Sequence, residues 1–327
     1  MERGANTSTS ARYVLEELKF IRSLRDVRIF AAKVAYKLPT LGGGMPAGGA
    51  APVPPSVQIE PTNRCNLRCV TCPGDRTSCP KGFMDMALFE RIVSEAADVG
   101  VQRIHLYLRG EPMLHPRIFD MVAFIKSKGL PVHLTTNGTL LTPERSAALL
   151  ASGVTSADQL TISFLGHSKQ SHEATMVGVD HDAVIANILE LVRLRRQMRV
   201  NGPVIETILN APPQTQGEGG DFLKFWRGKV DHARLGDYSI EFQEYGRDAV
   251  SAIRRTHPCN AIYERLLVFW NGVVPQCNGD FDGECPLGDL NVDSIEDIWN
   301  GERLRAVRKF HEEGRIDELP MCLHCDL

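Results

Sequence analysis

The sequence predicts an α/β protein, with a mostly parallel sheet under outer helices followed by a smaller, cysteine-rich module. Three observations lead there. Short β-rich segments alternate with longer helical patterns through the middle of the chain, the alternation stops near residue 250, and five of the nine cysteines fall after that point. A length of 327 residues suits about two domains of roughly 150 residues each.

Residues 11–37 carry a helical pattern, with Val14, Leu18, Ile21 and Leu24 spaced between Arg12, Lys19, Arg22, Arg25 and Arg28. A basic amphipathic helix of this kind either packs on the main domain or lies on a membrane surface, and packing is the plainer expectation. Residues 39–55 are dense in Gly and Pro, which break helix and strand alike, so this stretch reads as a linker. The expected organisation is therefore 1–55 as helix and linker, 56–250 as the main domain and 251–327 as the small module.

Strands are expected at 57–60, 103–107, 132–135, 160–163, 204–209 and 239–242, with helices at 86–99, 118–128, 143–151, 184–199 and 222–226. Six βα-like units in succession call for parallel strands, in either an open sheet or a partial barrel. Chemistry would then sit at the strands' C-terminal ends. The stretch 217–220, Gly-Glu-Gly-Gly, lacks a phosphate-loop context and reads as a flexible turn. In the small module, 266–275 with its Asn271-Gly272 reads as a hairpin, and 295–313 as a helix.

Composition excludes several classes. With 37 basic and 40 acidic residues and a net charge of −3, the chain is no polycation for nucleic acid. No run approaches the roughly 18–20 apolar residues of a membrane span, and the charged first thirty residues contain no stretch of signal-peptide type. Nine cysteines, an odd number without a secretion signal, point to reduced, cytoplasmic thiols rather than a disulfide framework.

Cys65-Asn-Leu-Arg-Cys69-Val-Thr-Cys72 follows the first expected strand directly. Three thiolates at this spacing can converge on one inorganic cluster. A cube-type iron–sulfur cluster takes four ligands, so three cysteines leave one iron open to a substrate or cofactor. Structural zinc normally closes with four protein ligands, which makes zinc, like an incidental loop, the weaker reading. From spacing alone, zinc and iron–sulfur are comparable for the later set of Cys259, Cys277 and Cys322-Leu-His-Cys325.

The stretch Ile59-Glu-Pro-Thr-Asn-Arg-Cys-Asn-Leu-Arg-Cys-Val-Thr-Cys72 resembles the cluster loop of the radical S-adenosylmethionine superfamily. Gly110-Glu111-Pro112 resembles its glycine–glutamate segment, Thr136-Asn137-Gly138 the polar end of its third strand, and Ser163 its cofactor-facing serine. The resemblance covers roughly residues 56–250 and implies a partial (β/α)6 TIM-like barrel with a [4Fe-4S] cluster on Cys65, Cys69 and Cys72. It also implies S-adenosylmethionine bound near Gly110, Glu111, Asn137 and Ser163, and an electron from a reductant such as flavodoxin or ferredoxin. The 5′-deoxyadenosyl radical so formed removes hydrogen from an unactivated C–H bond. Two residues depart from the pattern. Arg109 stands where a glycine is usual, which would alter the amino-group pocket, and Thr71 replaces an aromatic residue that often contacts adenine.

Trp270-Asn-Gly-Val-Val-Pro-Gln-Cys277, Leu287-Gly-Asp-Leu290, Ser294-Ile-Glu-Asp-Ile-Trp-Asn300 and the closing Cys-x-x-Cys are similar to the SPASM region or its shortened twitch form. With no later cysteines, the resemblance implies one auxiliary [4Fe-4S] cluster on Cys259, Cys277, Cys322 and Cys325. Full ligation by four cysteines suits electron transfer, and bracing of the module is the simpler alternative. Cys79 is then an ordinary loop thiol. Cys285 is a plain thiol, an exchangeable cluster ligand or a hydrogen-atom donor.

Weaker candidates are His105, His115, His133 and His167, read as structural, and Tyr107 with Arg109, which end the second strand and read either as pocket-facing or as ordinary strand-end residues. Glu241, Glu244, Tyr245 and Arg247 read as a surface loop or as binders of polar substrate groups. The resemblance to 2-deoxy-scyllo-inosamine dehydrogenase-type enzymes implies oxidation of an alcohol to a ketone on a small polyol, such as an aminocyclitol, amino sugar or nucleoside, in antibiotic biosynthesis. The alternatives are a redox-neutral epimerase using Cys285, a peptide-modifying maturase and a non-catalytic metal-binding scaffold.

Overall fold

The computed structural model describes residues 50–75, 77–236 and 259–322. The N-terminal helical pattern, the strand expected at 239–242, the group Glu241, Glu244, Tyr245 and Arg247, and the ligand candidate Cys325 lie outside the described residues. In chain order the elements are β1 (Ser56–Ile59), β2 (Arg68–Cys69), α1 (Met86–Asp98), β3 (Arg103–Leu106), α2 (Ile118–Ser127), β4 (Val132–Thr136), α3 (Pro143–Ala151), β5 (Gln159–Phe164), α4 (Lys169–Thr175), β6 (Met176–Val177), α5 (His181–Gln197), β7 (Val204–Leu209), α6 (Gly219–Trp226) and β8 (His232–Leu235). The small module adds α7 (Ala261–Glu264), β9 (Arg265–Val268), β10 (Val273–Pro275), β11 (Pro286–Asp289), α8 (Ile295–Trp299) and α9 (Glu302–Glu312).

One sheet runs β8-β7-β5-β4-β3-β1-β9, and every neighbouring pair is parallel. Among the described residues β8 and β9 are edges that do not pair with each other, so the barrel is partial. Side chains alternate across each strand. Val57, Ile59, Ile104, Leu106, Leu134, Ile162, Ile205 and Leu209 are buried in the core with Phe89, Met121, Ile188 and Trp226 of the helices. The alternate positions carry Gln58, His105, His133, Thr161 and Glu206; the register sets Gln58 opposite His105, His105 opposite His133 and Thr161 opposite Glu206, while His133 lies opposite Gln159. Fully covered parallel strands are usually apolar on both sides; here the inner face is polar.

Capping sets where the helices start. Asp85 accepts from Ala87 N at 2.8 Å at the head of α1. Thr142 and Pro143 open α3, and Asp180 opens α5 through Ala183 N at 3.0 Å, three residues ahead of the expected start at 184.

Three sequence expectations change, and one strand is added. The described sixth barrel strand is β8, a four-residue edge strand whose His-Ala-Arg-Leu has little strand signal of its own. The expected hairpin at 266–275 is divided: β9 joins the main sheet beside β1, while β10 pairs antiparallel with β11. The turn survives, with Phe269 N donating to Val273 O at 2.9 Å. The helix expected at 295–313 breaks into α8 and α9 at Gly301, whose backbone is extended with ψ 161°; beside the break Trp299 Nε1 and Asn300 Nδ2 donate to Ala51 O and Pro52 O at 2.7 and 2.9 Å. Residues 217–220 are no flexible turn. They end a 3-10 helix and begin α6, and Glu218 accepts from His167 N, Ser168 Oγ and Ser171 Oγ.

His172 on α4 is completely buried, with Nδ1 3.0 Å from His181 Nδ1 and its ring 4.7 Å from that of Phe164. Burial, with His181 adding, pulls its pKa from 6.5 to about 4. The folded state therefore binds fewer protons than the unfolded chain between these values. Its contribution is fully present above pH 6.5 and is lost as pH falls towards 4, by about 3 kcal/mol. Urea midpoints measured across this window should fall more steeply for the native chain than for His172→Leu; equal slopes would contradict the assignment.

Candidate active site

The loops after β1, β3 and β4 meet at one end of the sheet. After β1, Thr62 Oγ1 donates to Gly82 O at 2.5 Å, Asn63 Nδ2 donates to Pro80 O at 2.8 Å, and Gly82 N returns a bond to Asn63 Oδ1 at 2.9 Å. These bonds close the cysteine-bearing excursion between residues 63 and 80. Within it, β2 pairs antiparallel with β6, and Val70 N donates to Thr175 O at 2.9 Å. Cys69 is thus fixed by a two-residue strand that the sequence pattern does not announce.

Backbone amides address two of the thiols: Leu67 N donates to Cys65 Sγ and Gly74 N to Cys72 Sγ, each at 3.4 Å. Burial raises Cys65, with Glu111 and Cys72 adding, and pushes Cys69 up to about 12, with Cys72, Cys65 and Glu111 adding. The three thiols and Glu111 therefore oppose one another's ionisation, which a cationic metal centre would relieve. Among the described residues no three His, Cys, Asp or Glu converge on one ion. A cube-type cluster would take the three thiols on three different irons. The donor set fits such a cluster.

Gly110 has φ +73°, and a Cβ there would lie 2.4 Å from Thr62 O and 2.6 Å from Arg64 O, so both conformation and space demand glycine. Glu111 N donates to Arg64 O at 2.8 Å, which ties this turn to the cysteine loop. The buried Glu111 carboxylate takes Thr136 Oγ1 at 2.7 Å and Met113 N at 3.0 Å on Oε1, and Asn137 N at 2.7 Å on Oε2. Burial raises its pKa against the pull of these three donors. An ionised carboxylate has about four acceptor sites, so a cofactor's ammonium group can still be received. Asn137 Nδ2 donates to Asn66 Oδ1 at 3.0 Å, joining the end of β4 to the residue after Cys65. Ser163, on β5, stands half-buried on the same strand face as Thr161.

Arg109, which stands where a glycine is usual, joins the two parts of the chain. Its Nε and NH2 reach Glu60 Oε2 and Oε1 at 2.6 and 2.9 Å, NH1 donates to Phe281 O, and the guanidinium lies 3.6 Å from the Phe269 ring centre. Trp270 N also donates to Glu60 Oε1 at 3.3 Å. The departure from the glycine pattern thus braces the small module on the barrel mouth. Beside it, Asp282 Oδ1 accepts from Ser78 N at 2.6 Å and from Cys79 N at 3.3 Å, so the half-buried Cys79 sits in this seam.

In the small module, Asp280 is buried and accepts from Glu284 N at 2.7 Å, Cys285 N at 3.1 Å and Gln276 N at 3.3 Å. It shapes the loop that carries Cys277 and Cys285. Gln276 Nε2 donates to Cys322 Sγ at 3.3 Å, and His311 lies between Cys259 N and Cys322 Sγ. The structure therefore brings Cys259 and Cys322, 63 residues apart by their numbers, to one side chain. This soft donor set fits an iron–sulfur centre. Glu60, Asn66, Asp280, Gln276 and His311 were not singled out in the sequence. Glu60 and Asn66 lie within the cluster-loop motif and Gln276 within the Trp270–Cys277 motif, and those motifs are the signal that points to them.

Two substitutions probe this geometry. Gly110→Ala should lower the iron bound by the reconstituted chain by about four per chain. Glu111→Gln should keep the iron but weaken S-adenosylmethionine binding by about tenfold or more, equivalent to roughly 1.4 kcal/mol, as measured by equilibrium dialysis. Native iron content in the first, or native affinity in the second, would contradict these roles.

Comparison with known proteins places the geometry in a family. Residues 59–210 match the Radical SAM superfamily, and residues 259–326 match SPASM, an iron–sulfur cluster-binding domain. The tungsten-containing aldehyde ferredoxin oxidoreductase cofactor-modifying protein of Pyrococcus furiosus is 32% identical over 312 residues, covering 82% of this chain and 86% of that protein. An AdoMet-dependent heme synthase of Methanosarcina barkeri is 36% identical over 121 residues, 37% of this chain and 34% of that enzyme. Among solved structures, BtrN in complex with AdoMet and 2-DOIA superposes with a TM-score of 0.55 at 18% identity, covering 84% of this chain and 94% of BtrN. Streptococcus suis SuiB bound to precursor peptide SuiA gives 0.66 at 15% identity, covering 92% and 73%. The chain belongs to the radical SAM superfamily, with S-adenosylmethionine and a [4Fe-4S] cluster as cofactors and a C-terminal SPASM iron–sulfur domain.

Proposed function

We propose that this radical SAM enzyme is an oxidoreductase that converts an alcohol of a small polyol, such as an aminocyclitol, amino sugar or nucleoside, to a ketone. The observation that carries this reading is the polar inner face of the barrel. His105 Nδ1 lies 3.3 Å from His133 Nδ1, His133 Nε2 lies 2.9 Å from Thr161 Oγ1, and Thr161 Oγ1 donates to Glu206 Oε1 at 3.2 Å. Arg234 Nε donates to the same Glu206 oxygen at 3.1 Å, and Arg265 NH1 donates to Gln58 Oε1 at 3.2 Å. A substrate with several hydroxyls can exchange bonds with such a lining, whereas an apolar one would strand buried donors and acceptors.

In this reading Cys65, Cys69 and Cys72 hold the radical-generating cluster, Gly110, Glu111, Asn137 and Ser163 border S-adenosylmethionine, and Cys259, Cys277, Cys322 and Cys325 hold one auxiliary [4Fe-4S] cluster. When bound, these groups supply hydrogen-atom removal and a place for the substrate's second electron. The Glu60–Arg109 brace holds the small module over the barrel mouth and keeps water from it. A one-electron reductant such as flavodoxin or ferredoxin completes the set. The near-complete coverage of BtrN, solved with 2-DOIA, supports a small substrate, and so does the Pyrococcus relative, a cofactor-modifying protein.

One observation favours an epimerase as the second reading. Burial raises the Cys285 thiol, with Asp280 and Glu284 adding, so its sulfur keeps the hydrogen that a donor must give. The test is mass analysis of products from a panel of aminocyclitols, amino sugars and nucleosides incubated with the reduced enzyme in deuterated water. Oxidation predicts loss of two hydrogens, with activity retained in Cys285→Ala. Unchanged mass apart from deuterium at carbon, abolished in Cys285→Ala, would replace oxidation by epimerisation. Absence of 5′-deoxyadenosine would overturn both.

A further inference from the structure

The last turn of α9 places His311 among the cysteines of the small module, 2% exposed. Its Nδ1 accepts from the backbone N–H of Cys259 at 3.3 Å. A backbone amide can only donate, so Nδ1 carries no proton, and in the neutral ring the proton sits on Nε2. That Nε2 lies 3.5 Å from Cys322 Sγ, within reach of an N–H···S bond. The amide of Gln276, next to Cys277, donates to the same sulfur at 3.3 Å. Two side chains that are not cysteines thus join three segments, each of which carries one cysteine.

We propose that His311 is a positioning residue of the auxiliary centre: its Nε2–H donates to the Cys322 sulfur and, together with Gln276, raises the reduction potential of the cluster bound there. The proposal rests on reading Cys259, Cys277, Cys322 and Cys325 as the ligands of that cluster. Reduction adds negative charge that spreads onto the ligating sulfurs. A donor fixed on one of them stabilises the reduced form more than the oxidised form, so each N–H···S bond moves the potential upwards. A higher potential makes the centre a better acceptor for the second electron of an oxidised substrate. The amide of Cys259 aims the imidazole by holding its other nitrogen.

The full chain is reconstituted anaerobically as the native protein, His311→Phe and His311→Gln. Iron is counted, and both clusters are titrated by EPR-monitored potentiometry. His311→Phe should lower the midpoint of one cluster and leave the other where it was. His311→Gln, which sets an amide N–H near the former Nε2, should recover most of that shift. Unchanged midpoints in a fully loaded His311→Phe protein overturn the proposal. If His311→Phe loses iron, native protein labelled with 15N-histidine decides. Pulsed EPR of the reduced auxiliary cluster should reveal one weakly coupled imidazole nitrogen; no coupling, or the strong coupling of a directly bound ligand, overturns it. Iron for only one cluster in the native protein is a separate failure: it overturns the ligand set and the proposal with it.

Discussion

Glu60 and Arg109 leave water together at the C-terminal ends of β1 and β3, and the cysteine-bearing loops are arranged around the pair. Their side chains are 0% and 6% exposed. Either charge alone at that depth would cost several kcal/mol, and removing one partner from a buried pair typically costs about 3–5 kcal/mol. The pair holds because its remaining hydrogen-bonding capacity is used: Trp270 N closes on Glu60 and Phe281 O on Arg109. Both of these partners belong to the small module. An interaction that satisfies two strand ends therefore also decides where the module sits.

From that brace the two thiol groups acquire fixed surroundings. The turn after Arg109 is Gly110, which must pass against Thr62 and Arg64, and Glu111 then gathers Thr136 and Asn137 from β4. On the other side, Phe281 and Asp282 follow Asp280, whose carboxylate folds the Cys277–Cys285 loop. The module is also seated on the barrel's outside, where Glu95 of α1 accepts from Ile295 N at 2.5 Å. A radical reaction needs its reacting atoms held in place, and these hydrogen bonds fix the loops that carry the thiols.

Much of this was legible in the sequence because it is local. The alternation of strand and helix, Cys65-x-x-x-Cys69-x-x-Cys72, Gly110-Glu111 and the C-terminal cysteines are short-range patterns, and they point to the two regions that match the Radical SAM and SPASM families. What was not legible depends on distant partners. β8 is a weak segment that pairs only because β7 offers an edge. β2 and β6 exist as each other's partner across more than one hundred residues of sequence. The 266–275 stretch carries a genuine turn, but β1 competes for its first strand and wins it. Arg109 read as a departure from a family pattern, and its purpose became visible only when Glu60, Phe269 and Phe281 stood around it. His311 lies in an unremarkable stretch and Gln276 beside a cysteine of a recognised motif, but the meaning of both comes from a sulfur atom far away in the chain.

The account depends most on the Glu60–Arg109 pair fixing the small module to the barrel mouth, and hydrogen–deuterium exchange of Arg109→Met against the native chain measures this directly. Loss of the pair predicts faster exchange at the amides of residues 276–285 and at Trp270, with the β4–β5 amides of the barrel core protected as before. Equal protection of 276–285 in the two proteins would contradict it.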